Sequence, residues 1–249
     1  PNVTAPTANQ NVTITGTNGA CASSSVIRVD NRPALTVPAS VCDNATMAVS
    51  SDVSGTWTAT TGSFTGTNPG TSLTYNPAGI TPPTASQGVT ITVTNGVCAP
   101  TAATTVYNLP TLTVPATVCD NSTAAVSSDV SVTWTAGSGS FSGTNPGTSV
   151  TFNPPAVAAP TVNQNVTITG TNGACAPTAI IRVDNNPTLT VPTAVCDNST
   201  AAVSADVSAT WTAGSGSYTG TNPGTSLTFN PPAVAPPTQT QNVVLTVTN

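Results

Sequence analysis

The residues best equipped for chemistry are six cysteines, arranged in two series that share one step. Cys42, Cys119 and Cys196 stand 77 residues apart, and so do Cys21, Cys98 and Cys175. There is no His and no Cys-x-x-Cys spacing, so the set fits disulfides far better than zinc. Disulfides imply an oxidising compartment, most simply outside the cell. Catalysis is poorly provided for. Lys, Glu and His are all absent, which removes the common acid-base groups and leaves any Ser nucleophile without a base.

The remaining polar candidates have plainer readings. Asp43, Asp120 and Asp197, with Asp52, Asp129 and Asp206, recur at the same step. Carboxylates suit calcium, but no Asp-x-Asp-x-Asp loop gathers these, and turn formation is the expected role. Neither a metal nor a cofactor is expected. Arg28 with Asp30 and Arg182 with Asp184 lie two apart on one strand face, whereas Thr105 and Tyr107 hold the equivalent places between them. An exposed pair of this kind is expected to contribute about 0 to 1 kcal/mol. Asn-x-Ser/Thr sequons occur at Asn2, Asn11, Asn44, Asn121, Asn165 and Asn198, and matter only where a host modifies them.

The elements that must position these residues are repeats. Trp57, Trp134 and Trp211 keep the 77-residue step, as do Pro69, Pro146 and Pro223. A fixed period without insertions marks each repeat as one structural module. Two whole modules span 33–109 and 110–186, residues 1–32 match the last part of a preceding one, and 187–249 stop 14 residues short of completing another. The simplest expectation is a window on a longer repetitive protein.

Charged residues make up 4% of the chain, against about 25% in an ordinary domain. Regular Val, Ile, Trp and Phe positions argue for packed cores rather than disorder. With a net charge of −5 and no basic cluster, neither nucleic acid nor an anionic membrane is an expected partner. One Trp per module reads as core rather than as a platform for sugar stacking.

Apolar and polar residues alternate with period two in short runs broken by Gly, Pro and Asn, the pattern of antiparallel strands with one buried face. In the second whole module, strands are predicted at 112–114, 123–126, 132–136, 138–142, 149–152, 166–171 and 179–184. A type II turn is predicted at Asn145-Pro146-Gly147, a Pro-rich loop over 153–160, and a hairpin through Asn172-Gly173. Seven short strands with Trp in the third predict an all-β fold of immunoglobulin-like sandwiches. Termini at opposite ends of such a module, with almost no linker, predict end-to-end stacking as a stiff rod.

The segments Val-Cys-Asp-Asn, Trp-Thr-Ala-Gly-Ser-Gly-Ser-Phe-Ser-Gly, Val-Thr-Phe-Asn-Pro and Val-Thr-Ile-Thr-Gly-Thr-Asn-Gly-Ala-Cys together resemble the immunoglobulin-like or polycystic-kidney-disease-like repeats of giant Bacteroidota surface adhesins and filament proteins. That resemblance implies an extended, adhesive or fibrous protein at the cell surface. The order Cys42, Trp57, Cys98 also resembles the Cys, Trp, Cys order of immunoglobulin domains, which implies Cys42 with Cys98 and Cys119 with Cys175. Cys21 and Cys196 would then pair outside the window. The competing arrangement joins Cys42 to Cys175 and staples each module to the next.

Two functional readings stand side by side. The first is an extracellular filament or stalk whose modules contact one another or identical subunits, including by exchange of a strand. The alternative uses Thr-x-Thr runs such as 13–15, 56–58 and 167–169 as hydroxyl arrays for surface glycans or ice. These runs are well separated in the sequence and flank Val, Ile or Trp, so they are better explained as the outward half of a strand pattern.

Overall fold

Thr- and Val-rich runs fit a pleated, half-buried surface, and every regular element among the described residues is a strand. The computed structural model describes residues 2–236 and 238–249. They divide into two compact units, one of Pro1–Thr111, Ser128–Thr133 and Gly170–Pro177, the other of Leu112–Ser127, Trp134–Thr169 and Thr178–Asn249.

In the first unit, Asn9–Asn18 (β1) and Cys21–Asp30 (β2) form an antiparallel hairpin in which Asn18 faces Cys21 across Gly19 and Ala20. Gly19 has φ 59°, the left-handed geometry that a two-residue hairpin turn requires. Seven strands follow: Leu35–Thr36 (β3), Ser40–Cys42 (β4), Met47–Ala59 (β5), Ser63–Thr65 (β6), Gly70–Asn76 (β7), Ser86–Thr94 (β8) and Thr101–Tyr107 (β9).

The long strand β5 serves two sheets. Met47 to Ser50 pair with β7, which continues to β6, while Ser50 and Ser51 pair with β3. Thr56 to Ala59 pair instead with β8, which leads to β9 and then, in parallel, to β4. This is the immunoglobulin-like strand order, with the first half of β5 in the B position and its second half in the C position. The inward residues Met47, Val49, Val53 and Trp57 are buried, and Met47, Val49 and Trp57 pack with Tyr75, Ile91 and Val106 in one core cluster.

The next repeat supplies Leu112–Thr113 (β10), Thr117–Cys119 (β11), Ala124–Ala136 (β12), Ser140–Ser142 (β13), Gly147–Asn153 (β14), Asn163–Thr171 (β15) and Thr178–Asp184 (β16). The sheet order β11-β16-β15-β12-β14-β13, with β10 on β12, repeats that of β3 to β9. Two predicted strands, 123–126 and 132–136, are thus halves of one, because the intervening residues bend between sheets without leaving extended geometry. The short β11 has no counterpart in the prediction: its three residues alternate too briefly to show a period, and it exists through its ladder to β16.

Residues 187–249 supply Leu189–Thr190 (β17), Ala201–Ala213 (β18), Ser217–Thr219 (β19), Gly224–Asn230 (β20) and Leu245–Thr248 (β21). Residues 194–196, equivalent to β4 and β11, are not a strand here. Val203, Trp211, Leu227 and Phe229 form the buried core of this part.

The turn at Asn145-Pro146-Gly147 is not type II. The Asn145–Pro146 peptide is cis, and the positive φ, 110°, belongs to Gly143 rather than Gly147. The asparagine side chain sets this turn. Asn145 Oδ1 accepts the Trp134 backbone N–H at 2.9 Å, and its Nδ2 donates to the Trp134 carbonyl at 2.9 Å. The amide thereby stands in for a neighbouring strand. Asn68 with Trp57 and Asn222 with Trp211 repeat the arrangement.

Candidate functional site

The polar and covalent chemistry of the first unit converges where the tip of one hairpin meets the end of another. Asn172 and Cys175 pair across the tip residues Gly173 and Ala174. Gly173, at φ 54°, lies so close to the Tyr107 ring that a Cβ would overlap its atoms. Asn172 Nδ2 donates to two carbonyls, of Ala85 at 2.7 Å and of Asn108 at 2.9 Å. These acceptors immediately precede β8 and follow β9, which run antiparallel, so one amide ties the hairpin tip to both strands at one end of the β8–β9 pair.

Beside this clamp, Cys175 and Cys42 form a disulfide with Cα atoms 5.2 Å apart, within the ordinary span, and both residues are buried. Cys42 lies opposite Tyr107 in the parallel β4–β9 ladder. Cys98 precedes Tyr107 by nine residues along an extended path, or about 30 Å at 3.3 Å per residue. The pairing of Cys42 with Cys98 is therefore corrected to Cys42 with Cys175. The same geometry separates Cys119, opposite Asp184 on β16, from Cys175. Cys21, Cys98, Cys119 and Cys196 carry no disulfide among the described residues, and Cys21, Cys119 and Cys196 are exposed.

A second tip repeats the geometry with different chemistry. Asn95 Nδ2 donates to Ala8 and Asn31 carbonyls at 2.7 and 2.8 Å, and Cys98 Sγ lies 3.6 Å from the Asp30 carbonyl oxygen. In place of Tyr107, this tip meets Asp30, whose Oδ2 accepts the Val97 backbone N–H at 2.9 Å. Arg28 holds the same carboxylate through Nε at 2.7 Å and Nη2 at 3.0 Å. The Arg28 hydrogen bond, then the Val97 amide, keep the Asp30 carboxyl below the usual range. The expectation of an exposed pair fails at Asp30, whose side chain is only 3% exposed. The second unit carries a third clamp, in which Asn249 Nδ2 donates to Val162 and Asn185 carbonyls at 2.8 and 3.2 Å.

The recurring aspartates serve distant backbone rather than local turns. Asp43 accepts the amides of Ile80 and Leu109, Asp120 those of Val157 and Asn186, and Asp197 that of Val234. Asp52, Asp129 and Asp206 accept the amides of Ala34, Thr111 and Thr188. Cys42, Asp43 and Cys175 are the one group with spacing for a metal ion among the described residues, but its two sulfurs are bonded to each other and leave no thiolate ligand.

The three tryptophans are each 2% exposed, and their indole N–H groups donate to the carbonyls of Gly70, Gly147 and Gly224 at 2.9, 3.0 and 2.8 Å. Thr56 and Thr58 point outward on either side of Trp57, opposite Thr94 and Thr92. The sequence reading named Asn145 and Asn172 only as turn residues; it missed the clamp formed by Asn172 and its equivalents Asn95 and Asn249, and the backbone bracket formed by Asn145 and its equivalents Asn68 and Asn222. Their 77-residue step was the available signal.

No protein-family model and no curated protein matches the chain. Among solved structures it is similar to surface layer protein SbsC, domains 4–9, at 16% identity over 73% of this chain and 36% of that one, with TM-score 0.24. It is also similar to Drosophila N-cadherin EC1-4, at 11% identity over 96% and 78% of the two chains, with TM-score 0.26. For protocadherin gamma B2, cadherin domains 1–5, the values are 12%, 92%, 60% and 0.26. The chain spans about a third of the surface layer protein. At such low scores the likeness carries no argument about function.

Proposed function

We propose that the chain is a load-bearing part of an extracellular, cell-surface filament or stalk, in which immunoglobulin-like repeats supply length and durability and adhesion is a property of the larger assembly. The observation that carries this reading is the Cys42–Cys175 disulfide, which joins one 77-residue repeat to the next beside the Asn172 clamp. A bond that staples neighbours does nothing for a pocket or a reactive group, but resists their separation. The six recurring aspartates, spent on backbone amides, support the same non-catalytic reading. Partners are then adjacent repeats or identical subunits, in an oxidising space that keeps the disulfide formed. Cryo-electron microscopy of the native material tests the proposal. A regular axial spacing of roughly 30 to 45 Å per repeat, the length of strands of about 17 to 20 Å plus end loops, is expected. Dispersed particles without an axial repeat would sink it.

A further inference from the structure

The Asn172 clamp holds an amide where its own backbone can destroy it. The pair Asn-Gly occurs three times in the sequence, at 18–19, 95–96 and 172–173, each time at the tip of the same hairpin. Glycine has no Cβ to block the approach of its backbone nitrogen to the preceding side chain. The bracketing asparagines are spared this chemistry, because Asn68, Asn145 and Asn222 precede proline, which has no N–H.

The folded tip opposes ring closure at Asn172 in three ways. Its Nδ2, the group that would leave, donates to the Ala85 and Asn108 carbonyls at 2.7 and 2.9 Å. A succinimide ring would fix the Asn172 ψ torsion, whereas the reciprocal backbone bonds between Asn172 and Cys175, at 2.8 and 2.9 Å, hold that torsion in hairpin geometry. Asn172 is also buried, and Cys175 is tied to Cys42 by the disulfide, so the tip cannot drift from its acceptors. Asn95 is held in the same manner by the Ala8 and Asn31 carbonyls at 2.7 and 2.8 Å.

We infer that Asn172, and with it Asn95, is a latent self-modification site: the docked tip preserves the amide, and a tip that stays open is converted to a form that cannot dock again. In the opened tip the Gly173 backbone nitrogen attacks Asn172 Cγ. The bond from Gly173 N to Cγ forms, the bond from Cγ to Nδ2 breaks, and the Gly173 amide proton leaves with Nδ2 as ammonia. Water then opens the succinimide at either carbonyl, to aspartate or to isoaspartate. One water is taken up and one ammonia released, with no oxidant, reductant or enzyme.

Neither product fits the clamp. A carboxylate accepts hydrogen bonds but donates none, so its oxygens would face two carbonyl oxygens in a buried place. Isoaspartate lengthens the main chain by one carbon and misaligns the bridge between Asn172 and Cys175. Opening of this contact is therefore recorded covalently in the chain.

The test follows residue 172 by peptic mapping and mass spectrometry while the full oxidised chain is incubated in mildly alkaline buffer, either folded or in guanidinium chloride. Conversion should be at least about tenfold slower in the folded chain, because it must wait for the tip to open. A second arm uses Asn172→Asp, one product of the reaction. The Cys175 amide, bonded to the Asn172 carbonyl in the docked tip, should exchange its hydrogen at least about tenfold faster in this variant than in the parent. Equal conversion in folded and denatured chains would overturn the protection, and this comparison uses the unaltered chain, so it does not depend on how the variant folds. Unchanged exchange at Cys175 in Asn172→Asp would overturn the irreversibility.

Discussion

Asn145 brackets the backbone of Trp134, accepting its N–H and donating to its C=O at 2.9 Å each. The side chain does the work of a strand neighbour at the edge where β12 passes from one sheet to the other. Asn145→Ala removes both bonds and strands two partly buried backbone groups, at a cost of about 2 to 4 kcal/mol. Asn145→Asp keeps the acceptor alone and should lose roughly half as much. Denaturant unfolding followed by tryptophan fluorescence checks both; equal stability of the three proteins would show that the bracket is not used.

Gly173 is required at its tip for two independent reasons, its φ of 54° and the Tyr107 ring against its Cα. Gly173→Ala should destabilise by about 1 to 3 kcal/mol. Gly88, in an exposed part of β8 with open space around it, should accept Ala without loss. Adding Tyr107→Ala to Gly173→Ala should relieve part of the penalty, and thermal melts of the four proteins give the coupling. A purely additive double variant would place the cost in the backbone alone.

The Cys42–Cys175 bond closes a loop of 133 residues. The chain-entropy model assigns about 5 kcal/mol to a closure of that length. Cys175→Ser should lose about 2 to 5 kcal/mol under oxidising conditions and nothing further on reduction. A non-reducing peptide map showing Cys42 joined to Cys98 would contradict the geometry described here.

The Asp30 carboxyl titrates below the ordinary range because the folded chain binds its charged form through Arg28 and the Val97 amide. A depressed folded value contributes stability that is present above the unfolded pKa and disappears as pH falls through the folded one. Asp30→Asn should therefore be destabilising at pH 7, with the gap to the parent protein closing below about pH 4. Melting temperatures of the two proteins across pH 2 to 7 test this. A gap that stays constant with pH would remove the charge from the explanation.

Much of the fold could be read locally. The alternation through Trp134 and its 77-residue partners marks strands, sheet faces and core, because period two and burial are properties of a few neighbouring residues. The Asn172-Gly173 turn was legible for the same reason. What the turn touches was not, since the Asn172 clamp reaches acceptors 64 and 87 residues away. Nothing near Asn172 in the chain distinguishes a solvated tip from a docked one. The first choice of disulfide followed the Cys, Trp, Cys order, whereas the competing Cys42–Cys175 arrangement, also open from the sequence, is the one formed, because Cys42 and Cys98 fall at opposite ends of β9. Fusion of two predicted strands into β12 was hidden by polar residues at the bend, which break the apolar pattern without breaking the backbone.

The same Cys42–Cys175 bond governs how the chain responds to being pulled from its two ends. Residues between the two cysteines are bypassed, because force crosses from one sulfur to the other. At 3.3 to 3.6 Å per extended residue, about 450 Å of contour is held in reserve. Oxidised chains should therefore yield only their flanking segments to tension, and a thiol in the surroundings, rather than a stronger pull, decides when the stored length is released.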